Sequence, residues 1–160
     1  MRWHQLTKGP LVLAAVCFSA FLSPSWAQTQ DVTPPVLTGF TFRPMAVNTT
    51  TNPATITVTM QITDDLSGVY VGGAATFFSP SRNQNNNCQG SLISGTDLNG
   101  TWQCQMTIPA YSEAGVWTVS TVYVRDHAGN VKVYYTSDLQ ALGFPTTLQV
   151  TSNRTSRLRY

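Results

Sequence analysis

The 160-residue chain has little charge and no long apolar run. Only 10% of its residues are Asp, Glu, Lys or Arg. Uncharged Thr, Ser, Asn and Gln supply most of the polarity, a composition suited to an exported β-protein rather than to a cytosolic helical one. Histidine is nearly absent, at two residues, and so is cysteine, at three. A zinc site built on Cys/His spacing is therefore excluded, and so is a phosphate-binding glycine loop, because no such motif occurs. No amphipathic helix of useful length and no internal repeat can be read. The longest apolar stretch free of charge, Leu11 to Leu22, is too short to cross a bilayer as a helix.

That stretch has another reading. Met1 to Lys8 is basic, Leu11 to Leu22 is apolar, and Ser23-Pro24-Ser25-Trp26-Ala27 brings a helix breaker and small residues. Together these make the three regions of a secretory signal with cleavage after Ala27. An N-terminal anchor is the competing reading. A lipoprotein at Cys17 is disfavoured by bulky Val16 and by the apolar residues that follow. Residues 1–27 are thus expected to be a signal peptide, 28–35 a polar leader, 36–151 the folded domain and 152–160 a basic, disordered tail.

Cleavage changes the arithmetic. Seven bases then balance seven acids, and three of the bases, Arg154, Arg157 and Arg159, crowd into the tail. The body is mildly acidic, so no basic face for nucleic acid is expected. Two cysteines remain, Cys88 and Cys104, and an even count in an exported chain implies a disulfide.

Strand signals dominate the domain. From Thr55 to Thr63, Ile56, Val58, Met60 and Ile62 alternate with polar residues, which gives one apolar and one polar face. Further strands are predicted at Val36–Phe42, Val69–Phe78, Gly90–Ile93, Thr101–Ile108, Gly115–Arg125, Val131–Tyr135 and Thr146–Val150. Residues 79–89 are predicted to be a mobile loop, and Asn99-Gly100 a hairpin turn. Ser137 or Asp138 is predicted to cap one helical turn ending at Gly143. Seven or eight short strands at this spacing predict an all-β antiparallel sandwich with a short helical turn near the C-terminus.

The order Asp31-Val-Thr-Pro-Pro, Asp64-Asp-Leu-Ser-Gly68, Gly115-Val-Trp-Thr and Val124-Arg-Asp-His-Ala-Gly-Asn130 resembles bacterial immunoglobulin-like domains. The closing Leu139 to Val150 resembles the end of such modules, so the likeness spans nearly all of the domain. It implies an immunoglobulin-like sandwich from a secreted or cell-surface protein, here expected to stand alone.

Counting antiparallel strands gathers Asp31, Asp64, Asp65, Asp126 and Asn130 at the end of the domain where the first strand begins. Clustered hard oxygens are what calcium requires. The competing role for Asp64 and Asp126 is to accept hydrogen bonds from backbone N–H groups of their own turns. Catalysis finds no support: His127 is the one histidine left after cleavage, and no serine sits in a nucleophile elbow. Glu113 falls at the other end, away from the aspartates.

The expected function is a non-enzymatic extracellular, periplasmic or surface-associated module. It would contact a protein or a surface polymer, with calcium as its only cofactor. A carbohydrate-binding module is the alternative, if Trp102, Trp117, Tyr111, Tyr123, Tyr134 or Tyr135 form an exposed platform. A small secreted enzyme built around His127 ranks third. The core is the competing location for Trp102 and Trp117, and of Tyr134 and Tyr135 one must face outward.

Overall fold

A computed structural model describes residues 30–153. The expected signal peptide and cleavage site, and most of the basic tail, lie outside the described residues. Within them the chain forms nine strands and one short helix. The strands are β1 (Val36–Arg43), β2 (Ala46–Asn48), β3 (Ala54–Thr63), β4 (Val69–Phe78), β5 (Asn85–Gly95), β6 (Asn99–Ile108), β7 (Gly115–Asp126), β8 (Val131–Tyr135) and β9 (Thr147–Thr151). The helix is α1 (Thr136–Ala141).

Hydrogen bonding runs β1-β3-β6-β5-β4-β7-β9-β2, with β8 added beside β7. The result is an all-β, nearly closed, barrel-like sheet. The hinge of this arrangement is β5. Its first half pairs with β4 through Asn85 to Gly90, and its second half pairs with β6 through Ser91 to Gly95. The Cys88–Cys104 disulfide ties β5 to β6 just before this change of partner. Every pairing is antiparallel except β2 with β9, which is parallel.

The two-residue period of β3 appears as an alternation of buried and more exposed positions. Ile56, Val58, Met60 and Ile62 are completely buried, in one core cluster with Phe77, Trp117, Val119, Val122 and Leu148 from the other half of the sheet. Phe42 of β1 meets Phe77 of β4 edge to face at 5.1 Å, the favoured geometry for an aromatic pair. Trp102 is buried because β4 leaves room for it. A Cβ at Gly72 would lie 1.8 Å from the indole, so no other residue fits there.

Four local expectations need correction. Residues 85–89 are strand, so the loop is confined to 79–84. Asn99-Gly100 opens β6 instead of forming the turn, which lies at 96–98: Gly95 pairs with Gly100, and Thr96 N–H donates to Asn99 O. The helix begins at Thr136, and Asp138 closes it from its third position by accepting the Tyr135 N–H at 2.9 Å. The short strand β2 was not anticipated. No helix among the described residues is long and apolar enough to cross a membrane.

Candidate metal centre

Three turns and the entry to β1 converge at one end of the sheet. Residues 64–68 join β3 to β4, 96–98 join β5 to β6, and 127–130 join β7 to β8. Backbone bonds lock them together. Asp64 N–H donates to Leu98 O, Val69 N–H to Asp97 O and His127 N–H to Gly68 O, each at 2.9 Å. Ser67 links two further segments, donating its N–H to Asp31 Oδ2 at 2.9 Å and accepting the Ala128 N–H on its hydroxyl at 3.3 Å.

Within this frame Asp31, Asp64 and Asp126 each place a carboxylate oxygen within 4.8 Å of the others. Asp126 is completely buried. Its Oδ1 accepts the Gly129 and Asn130 N–H groups at 2.6 and 2.7 Å, and its Oδ2 accepts Asn130 Nδ2 at 2.7 Å. Asp64 Oδ2 accepts the Gly68 N–H at 2.7 Å and the Leu66 N–H at 3.2 Å. The Asx-turn role expected of both aspartates is therefore present. It does not exhaust them: Asp64 Oδ1 is buried and has no hydrogen-bond partner.

Asp31 is 8% exposed. A hydrogen bond from the Ser67 side chain, then one from the Thr33 N–H, holds its carboxyl below the ordinary value despite burial. Its charged form is thus the one the site favours. Asn130 completes the group. Its Nδ2 lies 3.2 Å from Asp31 O, 3.4 Å from Asp31 Oδ1, 3.5 Å from Thr33 O and 2.7 Å from Asp126 Oδ2. Four oxygens thus converge on one electropositive nitrogen.

Three of the five expected residues are therefore brought together as carboxylates, and Asn130 bonds to two of them. Asp65 is exposed and stands outside the three-carboxylate group. Asp97 was missed by sequence reasoning. Its carboxylate packs against Gly68, where a Cβ would lie 2.7 Å from Asp97 Oδ2, and Gly68 also has φ +81°. Glycine is required there on both counts. The available signal was the strand count, which carries the hairpin after β5 to this same end.

The remaining candidates fall elsewhere. Trp117 is completely buried and Trp102 is 7% exposed, so neither tryptophan offers a sugar platform. Tyr134 is buried and Tyr135 exposed, as adjacent strand residues must be. His127 packs edge-on against Tyr70 at 5.2 Å, and Arg125 lies over the same tyrosine ring.

A family model described as a domain of unknown function (DUF7743) matches residues 29–156. No curated protein matches the chain. Among solved structures, Cwp6 from Clostridium difficile is similar at 11% identity and a TM-score of 0.48. That likeness covers 76% of this chain and 19% of the other, so the chain spans about a fifth of that protein.

Proposed function

This chain belongs to the DUF7743 family, and we propose that it is an exported, non-enzymatic module with an immunoglobulin-like sandwich fold, stiffened by calcium at its Asp31–Asp64–Asp126 end. Export is supported by the three-part N-terminus and by a disulfide, which persists in oxidising compartments. The sandwich reading is supported by the partition of strands around β5. On one side lie β1, β3 and β6, and on the other β4, β7, β9 and β2.

The buried Asp64 oxygen without a partner carries the calcium reading. Leaving a charged acceptor buried and unpaired is costly, and three clustered carboxylates add like-charge repulsion. A hard divalent cation removes both penalties at once. Asp31, Asp64 and Asp126 would supply charged ligands. Asn130 would supply its carbonyl oxygen after half a turn of its amide, which exchanges donor for acceptor. Calcium here would fasten the entry segment and two loops into one rigid end, leaving the sheet edges and loop surfaces for contacts with a protein or surface polymer.

Calorimetric titration of the purified, oxidised protein with calcium chloride tests this reading. One saturable site is expected, lost in Asp64→Asn. Absence of any binding heat, together with no change in spectra, would remove the metal.

A further inference from the structure

The end of the sheet opposite the aspartates is built around one buried acid. Glu113 is 4% exposed. Its Oε1 accepts the Ser81 N–H at 3.0 Å, and its Oε2 accepts the Ser81 hydroxyl at 2.5 Å. Its own N–H donates to Gln84 Oε1 at 2.8 Å, and its carbonyl accepts Trp117 Nε1 at 2.8 Å. Ser79 Oγ accepts the Gln84 N–H at 3.1 Å. The loops at 79–84 and 109–114 are thereby fixed to each other and to the core.

Between them lies a cleft of about 410 Å³. Its lining includes the amide residues Asn83, Gln84, Asn85 and Asn86 together with Tyr111, and Trp117 reaches the cleft from the core. No charged residue lines it. Tyr111 is 57% exposed and holds φ +60°, an unfavourable backbone state for a bulky residue. Its N–H donates to Thr49 O at 2.7 Å, which pins the backbone in that state. Arg82, in the 79–84 loop but outside the lining, holds φ +61° with its guanidinium over the Phe78 ring. Strained residues kept in place by their surroundings concentrate where a side chain must be aimed.

The chemistry narrows the ligand. A lining without charge disfavours phosphates, nucleotides and metal ions. The scarcity of aliphatic groups disfavours lipid. Primary amides donate and accept at once, which suits hydroxyl groups that do the same. An exposed tyrosine offers its face to the C–H side of a sugar ring while its hydroxyl stays in water. We propose that this cleft is a saccharide-binding site, with Tyr111 as the stacking ring and Asn83 and Asn86 as the hydroxyl partners; Asn85, next to Asn86 in β5, turns its side chain to the other face. It replaces the tryptophan platform that burial of Trp102 and Trp117 rules out, and it stands independently of the calcium end.

The test is a titration of the oxidised protein, followed by nitrogen–proton NMR spectra, with cellotriose, maltotriose and chitotriose. Saturable shifts are expected for at least one sugar, concentrated at residues 83–86 and 109–112 and at the Trp117 indole N–H. Chelator should leave them unchanged, which separates this site from the calcium end. Tyr111→Gly keeps the backbone state and deletes the ring. It should weaken binding by about tenfold or more, in line with loss of an aromatic anchor, while Tyr111→Phe binds as the parent does. No saturable shift with any of the three sugars, shifts located elsewhere, or unchanged affinity in Tyr111→Gly would overturn the proposal.

Discussion

Both ends of the molecule bury carboxylates, and they treat them oppositely. Glu113 has a protein donor for each of its oxygens, at 3.0 and 2.5 Å from Ser81. At the other end three carboxylates stand within 4.8 Å of one another, and one buried oxygen of Asp64 has no partner. A satisfied buried acid is a structural lock. A partly satisfied group of acids is a place where something positive is needed. The contrast separates a loop clamp from a candidate ion site without reference to any relative.

The sharpest way to break the contrast is to remove one acid from each end. Asp126→Ala deprives the Gly129 and Asn130 N–H groups and the Asn130 amide of their acceptor. It should cost about 3 kcal/mol or more and abolish any calcium response. Glu113→Ala should cost about 2 kcal/mol, by unpairing Ser81, and leave the calcium response intact. Denaturant melts with and without calcium read both. Equal calcium sensitivity in the two variants would erase the distinction.

Reduction of Cys88–Cys104 supplies a control that favours neither end. The bridge closes a 16-residue separation, and its loss should lower stability by about 3 kcal/mol on the chain-entropy model. Because neither cysteine belongs to the carboxylate group, the calcium-dependent increment should be the same before and after reduction. A selective loss of that increment would place the disulfide in the site.

Asp64→Asn should give a smaller and crossed result. Without calcium it removes a like charge, so stability should be unchanged or rise by up to about 1 kcal/mol. With calcium it should fall behind the parent. A plain loss in both buffers would mean that Asp64 acts through its Asx turn alone.

Acid supplies the most graded test. The folded-state value of Asp31 is depressed below the ordinary 3.8, so its contribution is complete above that pH. It is lost as pH falls through 3.8 toward the lower folded value, because the unfolded chain takes up the proton first. Unfolding midpoints measured across this range should decline on the acid side, and Asp31→Asn should flatten that part of the decline. A parent curve that is level below 3.8 would contradict the assignment.

How far these features were legible varies with their physics. The alternation Ile56, Val58, Met60, Ile62 announced β3, because a half-buried strand writes its two faces into the chain. The same strand counting put Asp31, Asp64 and Asp126 at one end and Glu113 at the other. The start of β5 was not legible. Asn85, Asn86 and Asn87 are poor strand formers, and they are held by pairing with Phe78, Phe77 and Thr76 and by the disulfide at Cys88. At three residues β2 is too short to show a period, and its parallel pairing with β9 is set by the tertiary fold. The unpartnered Asp64 oxygen and the cleft beside Tyr111 were beyond the sequence as well, since each depends on how separate loops meet.

The two ends are compared most directly by thermal unfolding of the oxidised protein in saturating calcium and in chelator. At a calcium concentration about one hundred times its dissociation constant, binding to the folded state alone should add about 2.7 kcal/mol and raise the midpoint by several degrees. Superimposable curves in calcium and in chelator would contradict the reading of the Asp31–Asp64–Asp126 group as a cation site.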